Sequence, residues 1–197
     1  MARTVLSKLA GVAVLLMPAA AAARAQVTPF TGTRTAENIP VPGPNVGRCG
    51  APPNTLISGI VGAGTSNLGA FTTVESNCLN PITGSLFNGL FTFEFGGGST
   101  LFGTATGTVV LPPVGGTTTN TFEYVITGGT GLYAGATGRL QVNGVVRFNP
   151  DGTTGNTFTY NGSFSTVPEP STVLLVAAGL LGGAAAVRNR RRAGSGP

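Results

Sequence analysis

The chain has 197 residues, enough for one domain with targeting segments attached, and its net charge of +5 comes from eleven basic and six acidic residues. Most of the cations lie at the ends, with Arg3, Lys8 and Arg24 in front and Arg188, Arg190, Arg191 and Arg192 behind. Between Gln26 and Thr166 four arginines stand against five carboxylates, a net charge of −1, so the charge gives no reason to propose a polyanion-binding face and no nucleic-acid partner is expected.

The first 25 residues run from a basic start through an apolar stretch, Leu9 to Met17, to the small-residue end Ala23-Arg24-Ala25. That order predicts a secretory signal peptide cleaved between Ala25 and Gln26. The apolar stretch is about half the roughly 20 residues of a spanning helix, which argues against an uncleaved anchor. Residues 26–55 carry Pro29, Pro40, Pro42, Pro44, Pro52 and Pro53 and read as an irregular lead-in. Cys49 and Cys78 are the only cysteines. In an exported chain they meet an oxidising compartment, so a structural disulfide is expected; a reactive thiol would lack a His or Lys to activate it.

Residues 56–166 predict an all-β domain. Thr, Gly, Val and Phe dominate, and no segment sustains a helical period. Strands are expected over 56–63, 68–74, 86–95, 101–111 and 121–127, followed by two segments of strict alternation. Leu140, Val142, Val146 and Phe148 oppose Arg139, Gln141, Asn143 and Arg147; Phe158, Tyr160 and Phe164 oppose Thr157, Thr159, Asn161 and Ser163. About seven strands with glycine-rich turns give a single antiparallel β-barrel, with a β-sandwich as the alternative.

The densest motif, Ile126 to Gly138, has the sequence ITGGTGLYAGATG. No Gly-Lys-Ser/Thr follows it, and the next segment alternates as a strand where a phosphate site needs a helix. It therefore reads as a tight connection whose Leu132 and Tyr133 plug the barrel end. GGTGLYAGATG, with the upstream segment Gly62 to Thr72, resembles exported bacterial proteins of the allene oxide cyclase and dirigent β-barrel type. The resemblance covers roughly 56–166 and implies a barrel with room for a small apolar ligand. Many relatives carry a His where this chain has Asn67.

The carboxyl end reads Val167-Pro168-Glu169-Pro170, then an apolar run from Val173 to Val187, then Arg188, Arg190, Arg191 and Arg192. The two prolines keep the strip extended and accessible. The apolar run is expected to be a membrane helix; 15 residues at about 1.5 Å each reach roughly 22 Å, a marginal span of a core near 30 Å. The arginines orient its end to the cytoplasm. Gly179 and Gly183 form a GxxxG spacing within a run rich in small residues, where chance accounts for it. This order resembles the PEP-CTERM sorting signal over 167–192. The resemblance implies processing by exosortase near Pro168 to Pro170, a transient inner-membrane anchor, delivery to the cell surface or outside it, and an association with exopolysaccharide and biofilm. The expected organisation is thus a signal peptide at 1–25, a lead-in at 26–55, a barrel at 56–166, a sorting signal with a transmembrane helix at 167–192 and a cytoplasmic tail at 193–197.

An inventory bounds the chemistry. The chain has no His, and its one Lys, Lys8, departs with the signal peptide. Ser-His-Asp and Cys-His nucleophiles, histidine-bound metals and Schiff bases are excluded together. No metal site, cofactor or catalytic residue is expected. Glu94 and Glu123, each on an aromatic strand, are the best carboxylates for a glycosidase or isomerase, yet strand parity puts both on the solvent face. The leading expectation is a non-enzymatic surface or matrix protein meeting polysaccharide through Thr/Asn-rich faces. A small-ligand-binding barrel is the alternative, and weak catalysis by carboxylate and tyrosine the third.

Overall fold

Period-two alternation converts directly into strands. The computed structural model describes residues 25–40, 43–44, 47–110, 113–166 and 179. The expected signal peptide before Ala25, the strip Val167 to Pro170, the expected membrane helix apart from Gly179, the arginines from Arg188 to Arg192 and the tail 193–197 lie outside the described residues. Among the described residues there are eight long strands: β1 (Gln26–Pro40), β3 (Thr55–Ser66), β4 (Gly69–Asn80), β5 (Ser85–Phe95), β6 (Thr100–Thr108), β7 (Thr117–Thr130), β8 (Thr137–Phe148) and β9 (Thr153–Thr166). A two-residue strand, β2 (Gly43–Pro44), flanks β3.

From β3 to β9 each strand is antiparallel to the next, and β1 lies between β9 and β3, closing the sheet on itself. The result is an antiparallel eight-stranded barrel, not the sandwich. A barrel of this size has an interior just wide enough for side chains or one small ligand. Closure is narrow: β1 meets β3 only where Gly32–Thr35 face Ala63–Ser66. Glycines make it possible. A Cβ on Gly62 would stand 2.8 Å from the Thr35 carbonyl oxygen and 2.7 Å from Arg34 Cδ; one on Gly64 would stand 2.7 Å from the Phe71 ring.

The lead-in expectation needs correcting, because Gln26–Pro40 is a full strand paired with β9 along its length, and the barrel begins at Gln26 rather than residue 56. Pro29 and Pro40 lie outside the stretch of β1 that is paired on both sides, the one setting in which a sheet tolerates proline. Thr31, Thr33 and Thr35 face out while Phe30, Arg34 and Ala36 are buried.

At the end of the barrel where β1 starts and β9 finishes, hereafter the upper end, aromatic rings fill the interior. Phe30 stacks on Phe93 with centroids 5.7 Å apart, and Tyr160 meets Phe93 edge-on at 5.2 Å. The glycine-rich motif is the expected tight connection, a single 3-10 turn (Gly131–Tyr133) between β7 and β8. Only half of its expected plug is present. Tyr133 packs on Phe95 and Phe164, at 5.1 and 5.6 Å, but Leu132 points out and is 81% exposed. Among the described residues no helix is long and apolar enough to cross a membrane.

Cys49 and Cys78 form the expected disulfide, tying the β2–β3 connection to β4. Beside it Arg48 donates to the Ser76 carbonyl at 2.9 Å and Asn54 donates to the Cys49 carbonyl at 2.9 Å. The bridged cysteines are 29 residues apart. Replacing both with serine is expected to cost about 3–4 kcal/mol of unfolding free energy, the chain entropy a loop of that length restores to the unfolded state. Urea denaturation of the variant measures it.

Candidate functional site

Inward positions of four strands converge on a polar centre at mid-height in the barrel. β1 supplies Arg34, β4 supplies Thr73, Glu75 and Asn77, β7 supplies Tyr124, and β9 supplies Asn156, Phe158 and Tyr160; all eight are buried. Arg34 Nη2 stands 3.3 Å from both carboxylate oxygens of Glu75, and Nη1 donates to Thr73 Oγ1 at 3.2 Å. The Arg34 guanidinium carbon lies 4.8 Å above the centre of the Phe158 ring, a cation–π contact with the site's aromatic wall.

Burial dominates the electrostatics. It pushes the Glu75 carboxyl above the ordinary glutamate range, against the opposing pull of Arg34, Tyr124 and Asn77. For Arg34 burial works against the charge, and Glu75 is the largest influence opposing it, so the guanidinium stays charged. Burial, with Glu75 beside them, raises both Tyr124 and Tyr160, so these phenols stay neutral hydrogen-bonding groups.

Below this centre, toward the lower end, the rings give way to shorter side chains and a cavity of about 80 Å³ opens. Its walls are apolar, with Ile39, Ile57, Ile60, Leu79, Phe122 and Phe158 among them, and its polar lining is Glu75, Asn77, Tyr124, Thr154 and Asn156. Ile39 and Ile60 also form, with Ala36, a small separate cluster where β1 and β3 part company. Several buried polar atoms of the centre have no hydrogen-bond partner, Arg34 Nε, Glu75 Oε1, Asn77 Oδ1, Asn156 Oδ1 and the Tyr160 hydroxyl, although Glu75 Oε1 keeps its ion pair with Arg34. Buried polar atoms are usually satisfied, so their concentration here marks the site.

Strand parity places Glu94 and Glu123 outside, as expected. Glu94 is exposed on β5 between Thr72 and Thr100, and Glu123 pairs with Arg139 across β7 and β8 on the outer face. Neither touches the cavity. Of the tyrosines, Tyr124 and Tyr160 reach the polar centre and Tyr133 the upper end. Asn67 donates to the Pro29 carbonyl and accepts from the Thr31 N–H, at 2.9 Å each, so it caps the start of β1 at the upper end, away from the cavity. Sequence reasoning passes over Glu75 in favour of Glu94 and Glu123 and does not single out Asn77, Asn156 or Arg34, the last lying in the segment read as a lead-in; parity reaches the first three. With Phe71 inward, residues 73, 75 and 77 must follow it in, and with Phe158 and Tyr160 inward, so must 156.

The two ends of the barrel are partners: Gln26 pairs with Thr166. The ladder therefore starts where signal cleavage is expected and stops one residue before Val167. Residues 166–192 match the PEP-CTERM protein-sorting motif. The tail is a sorting signal. It indicates an exported protein targeted to exosortase, with a transient hold on the membrane. No curated protein matches the chain. Among solved structures, a pterocarpan synthase dirigent protein is similar over 72% of this chain and 89% of its own, with 15% identity and a TM-score of 0.48.

The buried pair predicts a pH dependence. A carboxyl whose folded pKa is raised contributes stability that is complete below the ordinary glutamate range and is lost as pH rises through the folded value. Glu75→Gln cannot ionise and escapes that loss. The wild-type unfolding free energy minus that of Glu75→Gln is therefore expected to decline as pH rises from about 4, and a difference that climbs refutes the assignment. Exchanging the whole pair, Arg34→Met with Glu75→Leu, is expected to leave stability unchanged or raise it by about 1–4 kcal/mol, since desolvation outweighs the attraction.

Proposed function

We propose that this is an exported, exosortase-processed, non-enzymatic binding protein whose barrel holds a small molecule in its lower cavity. One observation carries the reading. An apolar cavity inside the closed barrel is bordered by a few polar residues, Glu75, Asn77, Tyr124 and Asn156 among them, and apolar walls with a small number of polar groups are the composition of small-molecule sites. Glu94 and Glu123, the carboxylates best placed in sequence for catalysis, lie outside the cavity, while Glu75 and Tyr124 line it. Binding and delivery are compatible: processing at Ala25 and near Pro168 to Pro170 would release a complete barrel, because its ladder spans Gln26 to Thr166.

A second reading, a matrix protein contacting exopolysaccharide in a biofilm, is favoured by the outer face. Thr65, Thr33, Thr159, Asn143, Thr121 and Thr108 sit directly opposite one another on six neighbouring strands, all exposed. They form an uncharged row of hydroxyls and amides at the strand spacing of about 4.8 Å.

Intact and native mass spectrometry of the protein from its own host tests the first reading. The expected polypeptide begins at Gln26 and ends within Val167 to Pro170, and it carries a non-covalent small molecule that Glu75→Leu sheds. A glycan array on the same material tests the second, with binding expected to fall about tenfold in Thr121→Val/Thr159→Val if the row meets sugar.

A further inference from the structure

The outer wall of the barrel carries an uncharged apolar face between two charges that find no ion-pair partner within the described chain. We propose that the protein self-associates as a two-fold dimer through the outer faces of β3 to β6, with Val61, Val74, Leu90 and Phe102 at the centre of the contact and Glu94 of each copy opposite Arg48 of the other.

The apolar face follows from register. Val61 pairs with Val74, Val74 with Thr92 and Thr92 with Phe102, so these residues form one straight row across four strands. On the outer surface Val61 is 61%, Val74 46% and Phe102 39% exposed, and Leu90, the next outward position of β5, is 50% exposed. The Phe102 ring occupies the space that a Cβ on Gly128 would take, so it lies along the sheet and carries the row toward β7. Other exposed large apolar side chains stand apart, Val27 and Val145 on other strands and Ile82, Val110, Val114 and Leu132 on connections. Together the four central side chains offer on the order of 300 Å², the size of the largest patch on a typical monomer, which is often functional. That area suits the apolar core of a contact burying about 800 Å² per partner.

Charge selects the occupant. On β4, Thr72 and Ser76 stand two residues to either side of Val74. Glu94 is paired with Thr72, and Arg48 donates to the Ser76 carbonyl at 2.9 Å, so opposite charges flank the row on opposite sides. Both are exposed, and neither has an ion pair among the described residues, whereas Arg34, Arg139 and Arg147 are paired with Glu75, Glu123 and Glu37. A two-fold axis along the row sets Val61, Val74 and Phe102 against their own counterparts and brings the Glu94 side of each copy over the Arg48 side of the other. The face is therefore complementary to itself in both shape of charge and polarity. An acyl surface would desolvate Glu94 and Arg48 without pairing them.

The test is sedimentation equilibrium of the protein isolated from its host, at roughly 1 to 100 μM, within the affinity range of interfaces of this size. A monomer–dimer equilibrium is expected. Val74→Asp, an outward change, is expected to weaken it by about tenfold or more. Glu94→Arg and Arg48→Glu are each expected to weaken it about tenfold, because each variant alone brings like charges together twice. An equimolar mixture of those two variants is expected to associate as a heterodimer within about threefold of the wild-type affinity, since both contacts then join opposite charges. A misfolded variant cannot be rescued by mixing, so the mixture separates pairing from damage. A protein that stays monomeric at the highest concentration, assembles as a trimer, or keeps its affinity in Val74→Asp overturns the proposal. A mixture that associates no better than either variant alone overturns it as well, because the two-fold pairing of Glu94 with Arg48 is then absent.

Discussion

Closure of the barrel at four residue pairs is the constraint on which everything else depends. β1 and β3 meet only at Gly32–Thr35 against Ala63–Ser66, and they meet there because Gly62 and Gly64 present no side chain. The same absence gives Arg34 its place, since its aliphatic stem lies where a Cβ of residue 62 would be. Arg34 then has one direction to go, inward, and a buried guanidinium demands a partner. Glu75 on β4 meets that demand. A glycine choice in the sheet thus sets the electrostatics of the interior.

The interior divides into two halves of different character. Above the Arg34–Glu75 pair, Phe30, Phe71, Phe93, Phe95, Tyr133 and Phe164 interlock ring against ring and close the end. Below it the inward positions fall to Ile39, Ile60, Leu79, Leu86 and Val109, which cannot span the same width, and the cavity is what remains. The pair itself is weak evidence for stability, because two buried charges lose hydration that their attraction has to repay; around it stand the ring layer and the eight ladders. A polar centre beside an apolar cavity is the arrangement on which the binding proposal rests.

How much of this the sequence discloses varies with position. β5, β8 and β9 are legible because their inward residues are large and apolar and their outward ones polar, so parity and hydropathy agree. β1 is hidden by its prolines, which locally argue against a strand and are tolerated only because partners are missing on one side, a tertiary fact. The polar centre is hidden for the opposite reason. On β4 hydropathy inverts against parity, with Val74 46% exposed and Glu75 buried, so a reading that trusts hydropathy sends the essential carboxylate to solvent. The disulfide and sorting tail need no tertiary information, since compartment and residue order suffice. The cavity could not be read at all, because it depends on how rings from five strands share a cross-section.

Strand direction separates the first and last residues of the barrel from its cavity. Gln26 and Thr166 pair at the upper, ring-packed end; in the sequence the expected signal cleavage precedes the one and the sorting motif follows the other. The cavity lies at the other end, where Ile39, Leu79 and Val146 line it, about thirteen residues of β1 and on the order of 40 Å along the strand from Gln26. Cutting at either terminus therefore removes no lining residue and breaks no ladder pair. The disulfide sits on the cavity's side, fastening the β2–β3 connection to β4 beside Asn77 and Leu79. A chain that is trimmed at one end after export can therefore keep its site intact at the other. An oxidising compartment is the one in which that fastening forms, so export and the integrity of the site are linked through Cys49 and Cys78.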